Sequence, residues 1–353
     1  MSELRFAIVG CGRIAPRHAE SLAKINGVKL VAGADTDSAK ADAFASKYNV
    51  RAFGSLAELL AWGQFDVACV CTPSGMHAEH AIALMKSRKH VVVEKPMALT
   101  IKDADAMIAA SQSNDVRLFV VKQNRYNLPV LALREALEMG RFGKLVMGTL
   151  RVRWSRDQSY YDQAKWRGTW ALDGGVFSNQ ASHHIDLLEW CMGEVETVYA
   201  KTATQLVNIE CEDTGVAVLK FKSGALGVVE ATTATRPKDL EGSISILGER
   251  GTVEIGGFAV NQIRHFNFKD PLPNDSEIIA KYSVNPPNVY GFGHLSYLQN
   301  VVDTLGGSAS PLVDGLEGRK SLELITALYV SAETGREIHV RSNTETSRLG
   351  TRI

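Results

Sequence analysis

The feature that most constrains this chain is the spacing Gly10-Cys11-Gly12-Arg13-Ile14-Ala15, set directly behind the apolar run Phe6-Ala7-Ile8-Val9. A short apolar run closed by glycines reads as a strand that enters a tight turn and then a helix. Gly10 permits the turn. Gly12 has no side chain, so the backbone there can approach a pyrophosphate, and Ala15 lets helix and strand pack closely. The helix N-terminus then favours phosphate charge, which makes Gly10, Gly12, Arg13 and Ile14 candidate cofactor contacts. A glycine spacing by itself also fits an ordinary strand-to-helix turn. Asp35 raises it above that reading, because it closes the next strand about 20 residues beyond the glycines. A carboxylate there binds both ribose hydroxyls and repels a 2′-phosphate, so NAD is expected over NADP. The competing reading of Asp35 is a plain turn residue in Asp35-Thr36-Asp37.

Further apolar runs follow at Val28–Ala32, Val67–Cys71, Val91–Val93 and Leu118–Val121. They read as strands buried on both faces, as in a parallel sheet. Helical stretches separate them: His18–Ile25, Ser38–Tyr48, a segment opened by the capping-box pattern Ser55-Leu56-Ala57-Glu58, His77–Lys86 and Lys102–Ser111. This alternation predicts a doubly wound α/β sheet over residues 1–124. After a helix from Asn127 to Gly140 the pattern changes to period-2 strands at Leu145–Val152, Thr197–Thr204, Val216–Phe221, Leu226–Thr232, Ser243–Leu247 and Thr252–Ile255. Helices are then expected at His294–Leu305 and Gly315–Thr334. The reading is a second, α+β domain over 125–341, built on a large open antiparallel sheet with helices on one side. The polar segment 342–353 is expected to be loosely held unless an oligomer captures it.

A length of 353 residues suits two domains, and 45% apolar with 22% charged residues is ordinary for a globular enzyme. The formal net charge of +0 supplies no electrostatic case for nucleic acid or an anionic membrane. Five cysteines without a CxxC suggest neither a disulfide framework nor a metal site, and fit a reducing cytoplasm. No secretory signal or membrane-length apolar run is evident.

Three segments carry chemistry. Cys71-Thr72-Pro73-Ser74-Gly75-Met76-His77 leaves a strand's carboxyl end, where such sheets line a cofactor crevice, and Ser74 also fits a helix cap. Thr72, Pro73 and His77 are candidate cofactor contacts. Glu94-Lys95-Pro96 ends the next strand. A lysine after three valines and before a proline points into the crevice more readily than it lies idle on the surface. Its charge can orient a substrate hydroxyl and favour the alkoxide. The third segment is Leu172-Asp173-Gly174-Gly175-Val176-Phe177-Ser178-Asn179-Gln180-Ala181-Ser182-His183-His184-Ile185-Asp186. If Phe177–Trp190 is one helix, Asn179 and His183 share a face and Asp186 can join it. His183 can accept a hydroxyl proton as hydride departs. A structural hydrogen-bonding role for the His183-His184 pair is the competing reading, as is a metal site, for which no third ligand cluster is visible.

Taken in order, the GxGxxA turn, Asp35, Glu94-Lys95-Pro96 and the Gly-Gly…His…Asp segment resemble the Gfo/Idh/MocA family of oxidoreductases over nearly the whole chain. The resemblance implies NAD as cofactor, Lys95 and His183 flanking the reacting carbon, and pairing of the open sheets into dimers or tetramers. One position departs from the pattern: many members carry Asp where Asn179 stands, and an amide cannot take up a proton. Proton transfer then falls to His183, assisted by Lys95. Gln123-Asn124-Arg125-Tyr126-Asn127, Arg156-Asp157-Gln158-Ser159-Tyr160-Tyr161, Trp166-Arg167-Gly168-Thr169-Trp170 and Asn179-Gln180 look like the sugar-nucleotide branch. That likeness implies oxidation of the C3 hydroxyl of UDP-N-acetylglucosaminuronic acid on the way to a bacterial surface polysaccharide, ahead of a PLP-dependent aminotransferase. Gln123, Arg125 and Glu94 join the cofactor candidates. Arg156 and Arg167 suit a diphosphate or carboxylate, Tyr160, Tyr161 and Trp166 suit uracil or sugar, and Gln180 and Tyr290 complete the substrate candidates. Two alternatives stay open: a dehydrogenase of a free polyol such as an inositol, and a non-catalytic dinucleotide sensor on the same fold.

Overall fold

The computed structural model describes residues 3–282, 293–342 and 345–351. The chain divides into two compact units, residues 1–122 with 294–319, and residues 123–293 with 320–353. The first unit holds six parallel strands: β1 (Leu4–Val9), β2 (Val28–Ala34), β3 (Arg51–Phe53), β4 (Val67–Val70), β5 (His90–Val93) and β6 (Leu118–Val120). Their order is β3-β2-β1-β4-β5-β6, with the direction of winding reversing between β1 and β4. This is the doubly wound dinucleotide-binding arrangement, in which ligands settle at the carboxyl ends beside the switch point. Phe6, Ala7 and Ile8 on β1 and all of β4 are buried, as expected of strands covered on both faces. β3 is too short and too exposed to announce itself as an apolar run. Ser55 accepts the Glu58 N–H at 3.2 Å, while the Glu58 carboxylate reaches Gly54 N–H at 3.0 Å, one residue earlier than a full capping box.

Residues 294–319, which the sequence pattern leaves in the second domain, pack with the first unit. Val120 N–H donates to the Val313 carbonyl at 3.3 Å, Asp314 bridges to Phe119, and Arg319 pairs with Asp105. Long helices separated from a sheet in sequence carry no local sign of which sheet they cover.

Among the described residues the second unit is built on eight strands: β7 (Leu145–Arg153), β8 (Val195–Ala203), β9 (Thr214–Phe221), β10 (Leu226–Thr232), β11 (Glu241–Gly248), β12 (Gly251–Gly256), β13 (Gln262–Phe268) and β14 (Ile338–His339). The order is β13-β12-β11-β7-β10-β9-β8-β14. Every pair is antiparallel except β7 with β10, so the sheet is antiparallel with one parallel seam. Alternation is regular: on β9, Gly215, Ala217, Leu219 and Phe221 are buried while Val216, Val218 and Lys220 are exposed. The helix Ser182–Met192 packs on the buried face against β7 and β11. β13 and the two-residue β14 are elements the periodicity did not reveal.

Two expectations need correction. The helix predicted from Phe177 to Trp190 is two pieces, a π turn at Val176–Gln180 and an α-helix at Ser182–Met192. Ala181 N–H reaches back five residues to the Val176 carbonyl at 2.8 Å, so one extra residue enters the turn. The carboxyl-terminal segment is not loose where it is described: Leu349 is buried against Gly174, and Arg348 lies 4.5 Å over the Trp170 ring.

Candidate active site

In the first unit the β1 turn is drawn hard against the end of β4. Gly10 sits at φ +93°, and a Cβ on it would meet the Cys71 carbonyl carbon and Thr72 nitrogen at 2.8 Å. Only glycine fits both the left-handed backbone and that approach. Gly12 is the opposite case: a Cβ would meet nothing within 4 Å, so its face is open space. No side chain caps the helix Ala15–Leu22 that follows, and Ile14 occupies the capping position. Arg13 is exposed beside it. Asp35 closes the turn, accepting the Cys11 N–H at 2.8 Å and the Asp37 N–H at 2.9 Å. An open glycine face, an uncapped helix start and an adjacent carboxylate are what a dinucleotide's pyrophosphate and ribose require, so these residues fit NAD.

The loops after β4 and β5 are tied to each other. His77 is buried, with Nδ1 2.8 Å from the Pro96 carbonyl and Nε2 2.8 Å from the Thr72 carbonyl. Burial pushes this imidazole below the usual histidine range, against the two carbonyls, which favour the charged ring. His77 therefore braces the Thr72-Pro73 loop against the Lys95-Pro96 loop, while Thr72 also bonds His80 at 3.1 Å. Ser74 lies in a short 3₁₀ turn and caps no helix. Lys95 is half-buried, and the Lys95–Pro96 peptide is cis. Glu94 is buried and takes the His18 Nε2 at 2.8 Å and the Lys95 N–H at 3.1 Å. Burial pushes the Glu94 carboxyl up, but the His18 hydrogen bond and the charges of His18, His294 and Lys95 outweigh it and hold it at about 2. His18, Glu94 and His294 bring three potential metal-ligand atoms within 4.8 Å. The sequence hides this group, since its members stand at 18, 94 and 294. Two ligands on one zinc are about 3.3 Å apart, from Zn–N and Zn–O bonds of about 2.0–2.1 Å. The 2.8 Å contact here is instead a proton-sharing bond.

In the second unit His183 stands in the first turn of the helix Ser182–Met192, and Asn179 stands on the π turn before it. Asn179 Nδ2 donates to Asp173, whose other oxygen accepts the Gly168 N–H at 2.8 Å. A carboxylate therefore does lie beside position 179, but it comes from Asp173 and orients the amide. Asp186 pairs with Arg125: its two oxygens take Arg125 Nε and Nη2 at 2.8 Å each. Arg125, expected at the cofactor, is thus buried in an ion pair, on the 3₁₀ turn Gln123–Tyr126 that also buries Gln123. His184 is buried edge-on to Trp154, with ring centroids 5.5 Å apart.

The candidate substrate residues separate into two groups. Arg167 Nη1 lies 2.5 Å from the Tyr160 hydroxyl and stacks over Tyr160 and Trp166, at 4.3 and 4.7 Å from their centroids. Arg156 lies 5.3 Å over the same Tyr160 ring and bonds Asp239 at 2.9 Å. These four form one cationic and aromatic cluster. Tyr161 turns inward, buried with its hydroxyl 3.2 Å from Thr233, and burial raises it to about 12. Gln180 is buried as well. Tyr290 lies outside the described residues. Glu212 and Tyr329 were not singled out from the sequence; no motif marks a residue that acts on another segment's backbone.

Comparison with known proteins defines the class. The oxidoreductase-family NAD-binding Rossmann fold matches residues 4–122, and the same family's C-terminal alpha/beta domain matches residues 134–340. The protein is an NAD-dependent oxidoreductase. More narrowly, it belongs to the Gfo/Idh/MocA family. Among solved structures it is similar to the WlbA dehydrogenase of Bordetella pertussis in complex with NADH and UDP-GlcNAcA, at 45% identity over 97% of this chain and 99% of that one, with TM-score 0.93. The WlbA dehydrogenase of Chromobacterium violaceum, in complex with the same two molecules, matches at 45% identity over 97% of each chain, with TM-score 0.92. Myo-inositol 2-dehydrogenase of Thermotoga maritima is 30% identical over 95% of this chain and 98% of its own.

Proposed function

We propose that this protein oxidises the C3 hydroxyl of UDP-N-acetylglucosaminuronic acid to the 3-keto sugar with NAD. The observation that carries the proposal is 45% identity over 97% of the chain to enzymes solved with NADH and UDP-GlcNAcA. The Arg156–Tyr160–Trp166–Arg167 cluster supports it, because stacked guanidiniums suit a diphosphate or carboxylate and the rings suit uracil. NAD, held by Gly10, Gly12 and Asp35, supplies the hydride acceptor. Lys95 holds a positive charge for the substrate oxygen and favours its alkoxide. His183 takes the hydroxyl proton as the C3–H bond breaks and the carbonyl forms. Asn179, held by Asp173, donates or accepts a hydrogen bond but moves no proton. Thr72, Pro73, His77 and Glu94 shape the cofactor side. Gln123 and Arg125 stay proposed there, and Gln180, Tyr161 and Tyr290 stay proposed for the substrate side. The enzyme acts in the cytoplasm as a homo-oligomer, a dimer or tetramer. Its 3-keto product passes to a PLP-dependent aminotransferase on a route to surface polysaccharide such as O-antigen.

The test is a substrate panel with purified protein and NAD, followed by NADH absorbance. UDP-GlcNAcA is expected to drive turnover, with myo-inositol inactive. Turnover with myo-inositol and none with the sugar nucleotide would transfer the assignment to the polyol enzymes.

A further inference from the structure

The π turn at Val176–Gln180 opens without a side-chain cap from its own residues. The first backbone donors of such a turn have no partner within it and are costly to bury unpaired. Two distant residues take all four. Tyr329 Oη accepts the Gly175 N–H at 3.1 Å and the Ser178 N–H at 3.3 Å. The Glu212 carbonyl accepts the Val176 N–H at 3.0 Å, and its Oε1 accepts the Phe177 N–H at 3.0 Å. Tyr329 then donates its own proton to that Oε1 at 2.8 Å, joining the two caps. Both side chains are buried. Gly175 is what admits them: a Cβ on it would lie 2.1 Å from Glu212 Oε2 and 2.5 Å from the Glu212 carbonyl oxygen. From this anchor further backbone bonds lead toward the helix. Asn179 N–H reaches the Gly175 carbonyl at 2.9 Å, Ala181 N–H reaches Val176, and the next residues begin the helix that carries His183.

We propose that Glu212 and Tyr329 are positioning residues that hold the turn bearing Asn179 and set the start of the His183 helix. The catalytic half of this inference rests on the proposed role of His183; the structural half does not. Three variants separate the two. Tyr329→Phe keeps the ring and removes all three hydroxyl bonds. Glu212→Ala removes the side-chain acceptor. Glu212→Gln keeps an oxygen that accepts from both Phe177 and Tyr329.

Hydrogen–deuterium exchange of the 175–183 peptide in the full-length protein reads the turn directly, and kcat, KM and the NADH dissociation constant read its consequence. Exchange is expected to quicken at least tenfold in Y329F and E212A and to stay near wild type in E212Q. Turnover should follow the same order: kcat down tenfold to a hundredfold in the first two, within threefold in E212Q, with NADH affinity unchanged throughout. Unchanged exchange in Y329F and E212A overturns the inference. So does faster exchange with unaltered kcat, provided that H183A itself is inactive. If H183A turns over normally, the catalytic role of His183 fails and that half of the inference falls with it, while the exchange pattern still decides whether these residues hold the turn.

Discussion

Replacing Arg125 by methionine tests the anchoring of the His183 helix in quantitative terms. Arg125 and Asp186 have side chains 4% and 3% exposed and share two hydrogen bonds of 2.8 Å. The guanidinium also lies 4.9 Å over the Trp190 ring. Asp186 stands one turn beyond His183 on the same helix. Met fills much of the arginine's volume, so the main loss is the partner of a buried carboxylate, which costs about 3–5 kcal/mol. Removing both charges, as in Arg125→Met with Asp186→Leu, leaves no buried ion and should recover most of that loss. Urea unfolding of the single and double variants gives the difference directly, and the single variant's Tm should fall on the order of 10 °C. A single-variant cost below about 1 kcal/mol, or a double variant as unstable as the single, would refute the view that this pair is a buried, mutually dependent anchor.

Other expectations follow from individual contacts. Asp35→Ala should weaken NAD binding about tenfold to a hundredfold, as loss of a charged acceptor worth about 1.5–3 kcal/mol predicts, and shift preference toward NADP; titration with both cofactors checks it, and an unchanged ratio removes Asp35 from the cofactor site. Lys95→Ala and His183→Ala should keep NAD affinity and sharply lower turnover; near-normal turnover in both would remove them from the reaction. Burial raises the Glu212 carboxyl from 4.5 to about 7. A group with a higher pKa folded than unfolded takes up a proton on folding, so its contribution falls as pH climbs from about 4.5 to about 7 and is level above that. Glu212→Gln should flatten that part of the stability–pH curve, and a curve identical to wild type would show that Glu212 does not titrate there.

The sequence carried the Rossmann unit almost completely, because each of its signals is local: apolar runs, a glycine spacing and an acid closing the second strand. β3 escaped because three largely exposed residues make no pattern. The site residues were legible as types but not as contacts. Asp186 and His183 share a helix, yet Asp186 belongs to Arg125, 61 residues away in sequence. The π turn was invisible because its cause lies in Glu212 and Tyr329, whose side chains cap backbone groups remote in the chain. The same distance hid the His18–Glu94–His294 group. Asn179 was recognised as a departure, but only the structure shows the Asp173 carboxylate beside it.

The central claim is hydride transfer from C3 of a UDP-linked uronic acid to NAD. The most direct test is incubation of the purified enzyme with NAD and UDP-GlcNAcA deuterated at C3, followed by mass analysis of the reduced cofactor. Deuterated NADH and a 3-keto sugar nucleotide are expected in equal amounts. Unlabelled NADH, or no reduction with this substrate where a free polyol is oxidised, would contradict it.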